Sequence, residues 1–175
     1  LETGGLTAPT GRIAVFHPTP EKNLRSLPME QCEIIQPFRP AYDAFKSAGY
    51  NCAVEPKERY AMSIICLPRA KAEARSIIAK AAACTDGLII IDGQKTEGVD
   101  SIFKDLRKRG DVSATISKAH GKLFWINSHD GLKDWALSPT LTEGGFWTGP
   151  GVFSADGVDP ASELLVQTLP EKLGK

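Results

Sequence analysis

The chain has 175 residues, 42% apolar and 24% charged, with 21 Lys and Arg against 21 Asp and Glu and a formal net charge of zero. That is enough chain for one α/β domain with a proper core and a short appended segment, and its composition is that of an ordinary globular protein. No apolar run approaches bilayer length and no secretory leader is recognisable, so the chain reads as a cytoplasmic protein with no membrane partner.

Arg12 to Phe16 is a short β-branched and aromatic run, entered past Pro9 and Gly11 and ended by His17-Pro-Thr-Pro20, which predicts a first buried strand. Cys32 to Gln36 predicts the next strand. Residues 40–48 then place Ala41, Tyr42, Ala44, Phe45 and Ala48 at helical spacing before Gly49. A weaker strand is expected over 50–54 and a stronger one over 60–67, stopped by Pro68. From Arg69 to Cys84 one apolar stripe of Ala70, Ala74, Ile77, Ile78 and Ala81 marks a helix. Gly87 to Asp92 is a continuous apolar run, the pattern of a strand covered on both faces. Val99, Ile102, Phe103 and Leu106 carry a helix over 97–109, closed by Gly110.

Residues 112–117 and 122–127 are both strand-like. Only Lys118-Ala-His-Gly121 separates them, too short for a crossover helix, so they form a hairpin. The expected architecture is α/β: a seven-stranded, mostly parallel sheet with flanking helices and a terminal antiparallel hairpin. Residues 1–128 hold that sheet, 129–151 read as a Gly, Pro, Thr and Trp-rich connector, and 152–175 hold a helix beginning at Asp159-Pro160.

Cys32, Cys52, Cys66 and Cys84 form no CxxC pair and join none of the three histidines at metal-ligand spacing; free thiols and no metal are expected. Charge is unevenly spread. Residues 104–122 carry six Lys or Arg against two Asp, and residues 127–170 carry one Lys against six acids. Lys95, Lys104, Arg107, Lys108, Arg109, Lys118, His120 and Lys122 are therefore candidate contacts to a nucleic-acid backbone. For any one of them a solvated helix face is the plainer reading. Glu97 and Asp100 read as partners of a helix dipole rather than as a catalytic pair.

Several stretches carry a resemblance. They are Glu2-Thr-Gly4 with Pro9, Leu67-Pro-Arg-Ala-Lys71, Ile91-Asp-Gly-Gln-Lys-Thr-Glu-Gly-Val-Asp100, Ser117-Lys-Ala-His-Gly-Lys122, and Pro150-Gly-Val-Phe-Ser-Ala-Asp-Gly-Val-Asp159 with Ser162 and Leu164-Leu165. In these the chain resembles the RsmC-type ribosomal RNA guanine-N2 methyltransferases. The resemblance implies a Rossmann-like class I methyltransferase fold, and two such domains in tandem: an N-terminal one without cofactor binding and a C-terminal catalytic one that uses S-adenosylmethionine on ribosomal RNA. Residues 152–175 would lead into that catalytic domain, the rest of which lies outside this chain. Phe153, Ser154, Asp156 and Asp159 would border its pocket, and Trp135 and Trp147 would pack where it docks.

Two places test the degeneracy the resemblance implies. After the first strand stands His17-Pro-Thr-Pro20, with no glycine and two prolines that remove amide donors, so a Gly-rich cofactor cradle is absent. After the fourth stands Cys66-Leu-Pro-Arg69, without the amide and aromatic groups that would hold a flipped base. No catalytic or cofactor-binding residue is assigned. The rival expectations are a small-molecule or nucleotide-binding α/β domain acting at Asp92-Gly93, and a purely structural domain without RNA contact.

Overall fold

The computed structural model of the chain describes residues 9–155 and 157–170, which fall into two compact units, Leu1–Ala136 and Leu137–Lys175. Strands β1 (Ile13–Phe16), β2 (Cys32–Ile35), β3 (Asn51–Ala53), β4 (Tyr60–Cys66), β5 (Thr85–Gln94), β6 (Ile116–Lys118) and β7 (Gly121–Asn127) form one sheet in the order β3-β2-β1-β4-β5-β7-β6. β3, β2, β1, β4 and β5 pair in parallel, and β7 runs antiparallel between β5 and β6. This is the expected seven-stranded sheet with a reversed hairpin.

Period-two alternation sends the central strands' side chains to two cores. Ala14, Phe16, Ile65, Ile89 and Ile91 pack with Ile77, Ile78 and Ala81 of α2 (Lys71–Cys84) and Ile102 and Leu106 of α3 (Val99–Arg107). Ile13, Val15, Ile34, Met62 and Ile90 pack with Phe45 of α1 (Arg39–Ser47) and with Leu24 and Leu27. Those two leucines belong to the segment between β1 and β2, where Pro18, Pro20 and Pro28 stand and where the only helical element is a 3-10 turn, Met29–Gln31. This irregular segment thus covers part of the sheet.

Three local expectations are corrected. The helix predicted over 97–109 is interrupted by Gly98, whose φ of 75° belongs to the left-handed region that glycine enters at no steric cost. Ahead of it Lys95–Glu97 is a 3-10 turn with a capping box, in which Glu97 accepts from the Gln94 amide at 2.6 Å; Glu97 is a cap rather than a general dipole partner. The strand predicted over 112–117 shrinks to an isolated bridge, Val112 to Ile126, followed by β6. Ser113 is the cause, because its hydroxyl takes the Trp125 amide (2.9 Å) that a regular ladder would give to a carbonyl. Finally, the segment expected as a connector from 129 is divided. A 3-10 helix, Asp130–Trp135, belongs to the first unit, with Leu132 and Trp135 in its core.

The second unit holds a short hairpin, β8 (Thr140–Leu141) with β9 (Trp147–Thr148), and α4 (Pro160–Thr168). Asp159 caps α4 by accepting from the Ser162 amide at 2.9 Å, with Pro160 in the first turn. Every residue of α4 is exposed, including Leu164, Leu165 and Val166.

Candidate functional site

In an open parallel sheet, ligands bind beyond the carboxyl ends of the strands. Here the chain's own side chains occupy that edge. The backbone leaves β1 at His17 with φ 53°, and the buried Gln36 amide donates to the Pro18 carbonyl (3.0 Å) while accepting from the Phe38 amide (3.0 Å). The loops after β1 and β2 are thereby tied to one another. Lys22, from the same proline-rich loop, donates to Asp92 of β5 at 2.5 Å. Burial opposes its charge, but the hydrogen bond and charge of Asp92 outweigh it and raise the Lys22 pKa. Gly93 is buried under Leu67, and a Cβ there would sit 2.7 Å from Leu67 Cδ1.

The thiol at this edge is inert: burial pushes Cys66 up to about 12. The His17 imidazole is held neutral, its pKa lowered to about 4 by burial and by Lys80, with Glu55 acting weakly the other way. Its 3.6 Å approach to Glu73 is therefore not an ion pair at neutral pH. The loop after β1 has no glycine and two prolines, and Lys22, Gln36 and Leu67 stand at this edge engaged with Asp92, Pro18 and Gly93. These residues do not fit S-adenosylmethionine. Asp92 and Gly93, the place considered for a small-molecule site, form no turn: both lie within β5, paired with Leu123 and Lys122 of β7.

The candidate RNA-contacting residues are sorted by the structure into three groups. Lys95, Lys118, His120 and Lys122 line one open cleft of about 420 Å3, between the β6–β7 turn and the start of α3. Lys104 on α3 and Lys108 at its C-cap are exposed. Arg107 lies over the Phe103 ring at 5.7 Å, and Arg109 is committed internally. Its guanidinium binds Asp134 at 2.6 and 2.7 Å and lies 4.8 Å from the Trp135 ring centroid. Arg109 is better explained as a tie between the turn that follows α3 and the 130–135 helix than as a free phosphate contact.

Trp135 is 4% exposed and sits in the first unit's core, which corrects its expected place on a docking surface. Trp147 and Phe153, by contrast, are 72% and 81% exposed. With Phe146, Ser154, Asp159 and Ser162 they line a hollow of about 250 Å3 in the second unit. Ser154 has φ 52° and donates to the Gly157 carbonyl at 2.8 Å. Asp156 lies outside the described residues, as do Glu2-Thr-Gly4 and residues 171–175. Sequence reasoning missed Lys22 and Gln36, which lie in loops without any periodic signal. It also missed Asp100 as the partner of Lys122, at 2.5 Å.

Among the described residues no group of three potential ligands could hold a metal ion, and no helix is long and apolar enough to cross a membrane.

The Methyltransferase small domain family matches residues 143–175. Ribosomal RNA small subunit methyltransferase C of Vibrio parahaemolyticus is 28% identical over 163 residues, which cover 82% of this chain and 48% of that protein. The protein of the same name from Aliivibrio fischeri is 29% identical over 167 residues, covering 83% of this chain and 48% of its own. The chain is thus similar in sequence to RsmC-type rRNA methyltransferases. It spans about half the length of these curated relatives. The T. thermophilus RsmC, a 16S rRNA N2 methyltransferase solved with AdoMet and guanosine, superposes with a TM-score of 0.70 at 24% identity, over 93% of this chain and 49% of that one. At that identity the likeness establishes the Rossmann-like methyltransferase fold.

Proposed function

We propose that the first unit is a non-catalytic methyltransferase-like domain of an RsmC-type, S-adenosylmethionine-dependent rRNA (guanine-N2) methyltransferase. Its work is to support the folding of a C-terminal catalytic domain and to grip ribosomal RNA in the cytoplasm. The second unit, where the small-domain match falls, is the beginning of that catalytic domain. The observation that carries the reading is the self-filled edge of the sheet. Lys22 on Asp92, Gln36 on Pro18 and Leu67 on Gly93 stand at the carboxyl edge of the strands, the edge where ligands bind in open α/β sheets, and this supports the reading.

RNA gripping is supported by Lys95, Lys104, Lys108 and Lys118, whose side-chain ammonium groups make no hydrogen bond or close ion pair among the described residues. Contacts to phosphate displace condensed counterions, so affinity should fall steeply with salt. Reversing Lys95, Lys104 and Lys108 to Glu is expected to weaken binding of a 16S rRNA fragment on the order of 100-fold, and to flatten the salt slope by about three. Fluorescence anisotropy at several salt concentrations measures both. Unchanged affinity and slope would remove RNA binding from the proposal.

A further inference from the structure

We propose that the cleft between the β6–β7 turn and the start of α3 seats a backbone phosphate of RNA, with Lys95 and Lys118 as its cationic contacts and Asp100 as a built-in competitor for Lys122. The proposal rests on the RNA-binding reading above and says where, and against what, the RNA binds.

The cleft has a fixed frame. Ser117 and Lys122 pair across the hairpin, as do Lys118 and Gly121, and the Lys95 amide donates to the His120 carbonyl at 3.0 Å. That last bond ties the hairpin tip to the 3-10 turn ahead of α3. The tip is also held in a conformation that its residues do not favour. Ala119 and His120 have φ of 48° and 63°, the left-handed pair that a two-residue hairpin turn ordinarily gives to Asn and Gly. Strained backbone at non-glycine residues concentrates where a surface has a use. Here it presents Lys118 and His120 to the cleft that Lys95 also lines.

Charge then decides the ligand class. Lys95 and Lys118 make no close ion pair among the described residues, although the charge of Lys95 helps to hold the Asp100 carboxyl low. Lys122 does: its ammonium bonds Asp100 at 2.5 Å and lies 5.9 Å from the Phe103 ring centroid. Asp100 and Lys104 lie four residues apart on α3 and Lys108, its C-cap, follows at the same step, so the cleft is continued by two exposed lysines. A small anion would use the cleft alone. A polyanion with evenly spaced phosphates would use the cleft and these lysines together, and it gains by displacing several counterions at once. Asp100 works against this by repelling a phosphate and occupying Lys122.

The test uses this chain and a mixed-sequence RNA duplex of about 16 base pairs, read by fluorescence anisotropy between roughly 50 and 200 mM salt. Asp100→Asn should tighten binding about 3- to 10-fold and steepen the logarithmic salt slope by about one, because Lys122 becomes available. Lys118→Glu should weaken binding at least about 10-fold. Both positions are solvent-accessible, and circular dichroism with a thermal midpoint confirms that each variant folds. If the duplex binds but neither variant changes affinity or slope, while Lys104→Glu does, the cleft is not the seat and the RNA-binding reading survives. If the duplex is not bound by any form, RNA binding itself fails. If polyglutamate at equal charge competes as well as the duplex, the site selects no phosphate and the proposal is overturned.

Discussion

Replacing Trp135 by alanine is expected to cost the first unit about 3–5 kcal/mol of stability, the range for removing a buried aromatic and leaving a cavity. The indole is 4% exposed and joins Leu132 in the core beneath α2. Two guanidiniums, those of Arg75 and Arg109, lie 5.1 and 4.8 Å from its ring centroid. Each is anchored elsewhere, Arg75 to Asp105 at 2.6 Å and Arg109 to Asp134. Losing the ring therefore strips the packing from helices α2 and α3 as well as from the 130–135 helix. Urea unfolding of the chain measures the effect. A Trp135 whose only task was to meet another domain would leave the midpoint of this chain almost unmoved, and that result would return residues 129–136 to the connector.

Stability should also fall as the medium is acidified, and His17 should contribute a separable part of the fall. Its pKa is about 4 in the folded chain and about 6.5 when unfolded, so the unfolded state binds the proton more readily between those values. The stabilisation from keeping the imidazole neutral is complete above about pH 6.5 and is lost as pH drops toward 4. With a side chain only 20% exposed, the loss at about pH 4.5 should be about 2–3 kcal/mol relative to pH 7. His17→Asn, which tolerates the left-handed φ at this position, should show a pH dependence smaller by that amount. Paired carboxylates such as Asp105, held low by its bonds to Lys71 and Arg75, lose their contribution only at still lower pH. Identical pH profiles for the two proteins would contradict the burial of His17.

Much of the sheet is legible because a strand buried on both faces must be a continuous apolar run, as Ile13 to Phe16 and Leu88 to Ile91 are. The α2 stripe is legible for the complementary reason, one apolar side in a helix whose charged residues Lys71, Arg75 and Lys80 stand off it. The hairpin follows from arithmetic, since four residues cannot make a crossover. What sequence hides are decisions made by single side chains. Ser113 takes a ladder bond, Gly98 splits a helix, and Gln36 fastens one loop to another.

The site shows the same division. The run of lysines is visible, but its sorting depends on contacts distant in sequence. Asp134, 25 residues away, removes Arg109, and Asp100 occupies Lys122. Likewise the lack of glycine in His-Pro-Thr-Pro is visible in the sequence, whereas only the fold reveals that Lys22 reaches across 70 residues to Asp92.

That closed edge is the centre of the account, and isothermal titration calorimetry of this chain with S-adenosylmethionine tests it most directly. No saturable heat is expected up to about millimolar cofactor, a ceiling equivalent to less than about 4 kcal/mol of binding. Micromolar binding that disappears when the loop after β1 is altered would contradict it.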